Sequence, residues 1–190
     1  MKISLDLIKE LRRTSCASIS DCKEALEEAG GDIEKAIKLL RKKGLEIAQA
    51  KKERPAREGR IESYVHLGNK LGVLLEVNCE TDFVARNQDF CQFTKDLAMQ
   101  IAATSPLYIA KEDVPREVID KLEDKEGFYK NNCLLEQAFI KDPSITINDY
   151  LVSLIARVGE NIVIRRFIRY KIGEESNEDI TYGGVSRRKL

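Results

Sequence analysis

Between Leu71 and Ile101 the hydrophobic pattern changes period, and that change limits what the chain can become. Leu71-Gly72-Val73-Leu74-Leu75-Glu76-Val77-Asn78 is a short apolar run that reads as a strand. Phe90, Phe93, Leu97 and Ile101 then recur at spacings of three and four, which is one face of a helix. The stretch Cys79-Glu80-Thr81-Asp82-Phe83-Val84-Ala85-Arg86-Asn87 sits where the strand gives way to the helix. Thr81 or Asp82 can cap that helix by accepting a backbone N–H with its side-chain oxygen. Phe83 is the first large side chain after the turn, and two readings of it stay open. The ring packs inward beneath a capped helix, or Asp82 and Phe83 stand together at an exposed tip.

The flanking sequence supplies the rest of a sheet. Ile61, Ser63, Val65 and Leu67 fall on one side of an extended segment, and Glu62, Tyr64 and His66 on the other. Gly68-Asn69 suits a turn with positive φ, so 61–78 reads as a hairpin whose return strand is covered on both faces. The helix through Ile101 ends before Pro106, and Tyr108-Ile109 is a brief extended piece. Val114-Pro115 opens a further helix with Val118, Ile119 and Leu122 inward, ended or interrupted at Gly127. Asp142-Pro143-Ser144 reads as a turn. Asn148 or Asp149 caps a helix bearing Leu151, Leu154, Ile155 and Val158, and Gly159 stops it. Residues 162–172 alternate basic and apolar side chains and form the third strand.

Ahead of the sheet lie three short amphipathic segments. Leu7, Ile8 and Leu11 stripe the first; Cys22, Ala25, Leu26 and Ala29 the second; Ile33, Ala36, Ile37 and Leu40 the third. Ser18 with Asp21 fits a capping box, Gly30-Gly31 stops the second helix, Asp32 caps the third, and Gly44 is expected to stop it. Helices this short bury their stripes only against one another. The expected fold class is therefore α+β: a three-helix module over 1–44, a basic linker helix over 45–60 broken near Pro55, and a core over 61–172 with a three-stranded antiparallel sheet packed against helices. The remainder, 173–190, is a polar tail with a disordered end. The linker's lysines and arginines have no aromatic residue among them to stack on bases, so it reads as a tether rather than an RNA-binding arm.

Composition excludes several function classes. Lys+Arg and Asp+Glu are both 32, so the chain lacks the basic excess usual in nucleic-acid binders. No apolar run reaches the roughly 20 residues that span a bilayer, and Met1 opens into charged sequence without a signal peptide. The five cysteines (Cys16, Cys22, Cys79, Cys91 and Cys133) have no C-x-x-C spacing, and His66 is the single histidine. These thiols read as reduced and mostly packed, with no metal site. A phosphate-cradling loop and a nucleophile elbow are both missing, so the chain is not expected to be an enzyme or to bind a cofactor of its own.

The words at the junction add more. Glu80-Thr81-Asp82-Phe83-Val84-Ala85-Arg86-Asn87 closely resembles the signature of the elongation factor Ts family. Asp21-Cys22-Lys23-Glu24-Ala25-Leu26, Gly31-Asp32-Ile33-Glu34-Lys35-Ala36, Leu134–Ile140 and Gly159–Phe167 are also similar to it, so the likeness runs from about Leu5 to about Tyr170. One turn departs: the family's Thr-Gly-Ala-Gly-Met-Met is replaced by Ser15-Cys16-Ala17-Ser18-Ile19-Ser20, in which Ile19 keeps one apolar anchor. The resemblance implies a ubiquitin-associated-like N-terminal module and a cytoplasmic translation factor. Its partner would be the GTPase elongation factor Tu. The resemblance also implies that Asp82-Phe83, flanked by Thr81 and Val84, enters the magnesium and phosphate end of the GTPase site and promotes exchange of GDP for GTP. Arg12 on the first helix and Ile19 at the turn would press on the same partner. The chain looks like the family's short form, in which two subunits associate, so a homodimer is expected, with no direct contact to nucleic acid or membrane. A plain protein-binding adaptor built on the helical module is the competing reading.

Overall fold

The computed structural model describes residues 3–15 and 17–174. The expected disorder at the end of the tail, and Cys16 within the departing turn, lie outside the described residues. The elements in chain order are α1 (Leu5–Ser15), α2 (Ile19–Glu28), α3 (Ile33–Lys51), β1 (Glu58–Val65), β2 (Leu71–Cys79), α4 (Asp82–Ala85), α5 (Gln88–Thr104), α6 (Arg116–Ile119), α7 (Lys125–Asn132), β3 (Ala138–Phe139), β4 (Asp142–Thr146), α8 (Ile147–Val158) and β5 (Ile162–Lys171). They form an α+β protein divided into two compact units. One runs up to Pro55 and takes in Asp149–Asn161; the other holds Ala56–Asn148 and continues from Ile162.

In the first unit the three stripes meet as expected. Ile8, Leu11, Cys22, Ala25, Leu26 and Ala36 are buried together, with Leu7, Ala29, Ile33, Ile37 and Leu40 packed around them. Each helix start is fixed locally. Ser18 Oγ accepts the Asp21 N–H at 3.1 Å and donates to the Asp21 carboxylate at 2.5 Å, and Asp32 Oδ1 accepts the Lys35 N–H at 3.0 Å. Gly30 and Gly31 take φ of 64° and 88°, which turns the chain between α2 and α3 without a Cβ clash. Gly44 does not stop α3. The helix runs on to Lys51, so the expected linker helix is the second half of α3 itself. The glycine serves packing instead: a Cβ there would lie 3.0 Å from Val152 Cγ1 of α8. Beyond α3 the chain is held by Asn161, whose Nδ2 donates to Lys52 O at 3.2 Å and Arg54 O at 2.8 Å.

The second unit is organised on an antiparallel sheet of order β1-β2-β5. Its hairpin turns at His66–Asn69, where the Asn69 N–H bonds His66 O at 3.0 Å and Gly68 and Asn69 have φ of 89° and 55°. Strand β1 begins at Glu58, ahead of the expected Ile61, and Gly59 permits this. At φ 148° it approaches β2 so closely that a Cβ would sit 2.7 Å from Asn78 Cα and would collide with Val77 O. Val73, Leu75, Val77 and Cys79 of β2, with Ile162, Ile164 and Phe167 of β5, are buried on one face, and α5 lies against that sheet with Phe90, Phe93, Leu97 and Ile101 also buried. Among the described residues the other face is left open, contrary to the expectation for β2. Cross-strand register brings Ser63, Leu74 and Ile168 into line, with Ile61 and Glu76 beside them and Gly72 and Tyr170 beyond, and Leu74 is 48% exposed.

Three further readings are corrected. The segment from Val114 holds two short helices, α6 and α7, and Gly127 lies inside the second, its N–H donating to Asp124 Oδ1 at 2.8 Å. Asp142-Pro143-Ser144 belongs to β4, which tolerates Pro143 because among the described residues it is an edge strand paired only with β3. Helix α8 starts at Ile147, before either expected cap. Buried Gln100 then ties α5 to the β3 region: its Nε2 donates to Gln137 Oε1 at 3.2 Å and Ala138 O at 3.1 Å, and its Oε1 accepts the Ile140 N–H at 2.9 Å. A buried amide with its partners satisfied fixes a single register between the elements it joins.

Candidate functional site

The junction between β2 and α5 folds into the single turn α4, and both of its ends are tied down. At the entry, Cys79 Sγ donates to Thr81 O at 3.1 Å, and Thr81 Oγ1 caps the turn by accepting the Val84 N–H at 3.4 Å. At the exit, Asn87 Oδ1 accepts the Asp89 N–H at 2.8 Å and starts α5, while Cys91 Sγ donates to Ala85 O at 3.6 Å. Val84 and Ala85 fill the inward positions. The ring of Phe83 therefore has nowhere to go but out and stands 79% exposed. Of the two readings left open for Phe83, the geometry is that of an exposed tip carried on a capped turn.

Thr81, Asp82 and Phe83 share this tip and all are exposed. Val84 does not present a surface: at 5% exposure it anchors the turn from beneath, which corrects its place among the partner-facing residues. Arg12 on α1 and Ile19 at the first position of α2 are both exposed, Ile19 to 57%, but belong to the other compact unit. Sequence reasoning missed Arg86. It closes α4, and its Nη2 donates to Asp82 Oδ2 at 2.9 Å. The signal was present, since an acid four residues ahead of an arginine is the spacing of a helical ion pair.

A groove of about 340 Å³ lies between α2 and α3, where Lys43 Nζ reaches Asp21 Oδ1 at 2.7 Å and Glu24 Oε2 at 3.2 Å. Those hydrogen bonds, with the one from Ser18, hold the Asp21 carboxyl below the usual range and raise Lys43. Among the described residues no group of histidine, cysteine and acidic side chains is placed to hold a metal ion, and no helix is long and apolar enough to cross a membrane. Cys22, Cys79 and Cys133 are buried and Cys91 is half-buried, all four outside any disulfide; burial pushes the Cys133 thiol up to about 11. An exposed acid–aromatic pair on a turn tied down at both ends suits contact with another macromolecule.

A family model described as Elongation factor TS matches residues 2–127 and 125–174. The chain belongs to the elongation factor Ts family. It is 50% identical over 195 residues to elongation factor Ts of Caldanaerobacter subterraneus subsp. tengcongensis, which covers 90% of this chain and 98% of that relative. The protein of the same name from Carboxydothermus hydrogenoformans is 49% identical, covering 90% of each chain. That of Thermodesulfovibrio yellowstonii is 47% identical over 200 residues, covering 94% of this chain and all of the relative. The chain is thus a translation elongation factor of that family. The signature residues Thr81-Asp82-Phe83-Val84-Ala85-Arg86 make up α4 and its two caps.

Proposed function

We propose that this chain binds the GDP form of elongation factor Tu and speeds the exchange of GDP for GTP by inserting Asp82 and Phe83 beside the nucleotide's magnesium and phosphates. The observation that carries the reading is the outward ring of Phe83 on a turn capped at both ends. Leaving a phenyl ring in water forgoes about 2 kcal/mol that a buried one would contribute, and a partner's pocket recovers it. GTPases hold a diphosphate with loop amides, a lysine and a magnesium ion that demands near-octahedral oxygen ligands. A ring wedged among those loops displaces them, and the Asp82 carboxylate competes for the hydrogen-bond donors that the phosphates use. Arg12 and Ile19 add a second area of contact from the helical module. Coupling of this kind is reciprocal, so bound GDP weakens the grip on this chain by the same factor, and entry of GTP favours its release.

The chemistry takes place in the partner's site, so the chain makes and breaks no covalent bond and works in the cytoplasm with the translation machinery. Release of fluorescent GDP from elongation factor Tu is the test. Phe83→Ala and Asp82→Ala each slow the accelerated release by an order of magnitude or more, while thermal unfolding stays as in the parent. Full acceleration by both variants refutes the wedge. Equal affinity for the GDP-bound and nucleotide-free GTPase, without acceleration, supports the adaptor reading.

A second copy of the chain is the proposed cover for the open sheet face. Ile61, Val65, Leu74, Tyr170 and Ile172 stand exposed there around one ion pair, Arg166 Nε to Glu76 Oε2 at 2.6 Å. A contiguous apolar patch of this kind marks an interface, and a two-fold axis through it lets each copy cover the other with the same residues. Sedimentation velocity gives a dimer that Leu74→Lys converts to a folded monomer. A parent chain that stays monomeric at tens of micromolar overturns the pairing.

A further inference from the structure

We infer that Arg86 is a positioning residue for exchange, holding the Asp82 carboxylate in its docking-ready orientation and masking its charge on approach to the partner's diphosphate. The inference rests on the exchange reading above.

The backbone of Arg86 is fixed on both sides. Its N–H reaches Phe83 O and Val84 O as the end of α4, buried Ala85 precedes it, and Asn87 caps α5 directly after it. The guanidinium is otherwise in water, with the side chains of Arg86 and Asp82 81% and 64% exposed, yet it reaches back one turn to Asp82 Oδ2 at 2.9 Å. In a chain without that contact, a carboxylate at the first position of a four-residue turn is free to sample several rotamers. The bond from Arg86 Nη2 to Asp82 Oδ2 favours one of them.

The second consequence is electrostatic. An isolated carboxylate nearing a nucleoside diphosphate meets like charge. The Asp82–Arg86 pair carries no net charge, and its cationic half faces phosphate oxygens favourably. As water leaves the interface the pair strengthens, since screening falls with burial. Arg86 therefore acts through Asp82, and its effect depends on the carboxylate being present.

A double-mutant cycle in the full chain, read by fluorescent GDP release at limiting factor, tests this. Arg86→Gln slows release about fivefold, the upper end for a partly exposed ion pair. It causes no further slowing in an Asp82→Asn background, and Arg86→Lys recovers part of the loss because it restores the charge without the fork. The defect shrinks in high salt, where the parent's charge advantage is also screened. Thermal unfolding of all variants matches the parent, because neither side chain is packed. The inference is overturned if Arg86→Gln exchanges like the parent, or slows the Asp82→Asn background by the same factor. If Asp82→Asn and Phe83→Ala are themselves without effect, the exchange reading fails, and this inference with it. Slowing by those two but none by Arg86→Gln refutes the role of Arg86 alone.

Discussion

Replacing Phe83 by alanine separates what the ring does for the fold from what it does for a partner. With the ring 79% exposed, only about a fifth of its surface is removed from water in the free chain. At about 25 cal/mol per Å² over a phenylalanine's 150–250 Å², that remnant contributes roughly 1 kcal/mol. Phe93 is the internal comparison. It is fully buried in α5, and truncating it to alanine removes the transfer energy and leaves a cavity, at about 3–5 kcal/mol. Urea unfolding followed by circular dichroism measures both on the same baseline, and equal m-values confirm that the same surface is exposed in each variant. The expected outcome is a midpoint for Phe83→Ala close to the parent and one for Phe93→Ala shifted far down. A loss of 3 kcal/mol or more at Phe83 would mean that the ring supports its own subunit, and the argument for an outward wedge would fall.

Gly59→Ala forces a Cβ against the backbone of Val77 and Asn78 at a φ that L residues rarely adopt, so thermal denaturation should show a loss of about 2 kcal/mol or more; Gly68→Ala at the hairpin tip meets no neighbouring atom and carries only the strain of its φ of 89°, so it should lose less. Asp21 has a folded pKa below its ordinary 3.8, so its bonds to Lys43 and Ser18 stabilise the fold above that pH and are lost as pH falls through the depressed value. Lys43→Met should therefore flatten the acid limb of stability below about pH 4 in acid-unfolding curves. Among Cys22, Cys79, Cys91 and Cys133, alkylation at neutral pH followed by mass spectrometry should label half-buried Cys91 first and Cys133, whose thiol is raised to about 11, last.

Local chemistry made much of this architecture readable. Ser18 and Asp32 cap the helices they were expected to cap, and the spacing of Phe90, Phe93, Leu97 and Ile101 marked the inner face of α5; Thr81, expected to cap that same helix, caps the separate turn α4 instead, and Asn87 caps α5. Gly68-Asn69 announced its turn because both positions need positive φ. The misreadings share a cause: in each, a tertiary neighbour decided the matter. Gly44 resembles a helix stop until Val152 is seen beside it. Pro143 resembles a turn until the strand containing it proves to pair with β3. Leu74 lies in a run apolar enough for a strand buried on both faces, yet among the described residues its face stays open and it is 48% exposed. At the tip, sequence named the right turn but left the direction of Phe83 open. That direction depends on Val84 and Ala85 taking the inward places, a choice made by the shape of the sheet and α5 beneath them.

The two hydrogen bonds from Asn161 also bear on how the protein is born. Its donor reaches back 109 and 107 residues to the carbonyls of Lys52 and Arg54. A ribosome has therefore released most of the polypeptide before the seat beyond α3 can close. The three stripes of the helical module can collapse early in synthesis, since all their contacts are local. The later half of α3, with Gly44 shaped to receive Val152, must wait for α8 to emerge. Shortening the gene from its 3′ end would thus harm a region encoded near its 5′ end.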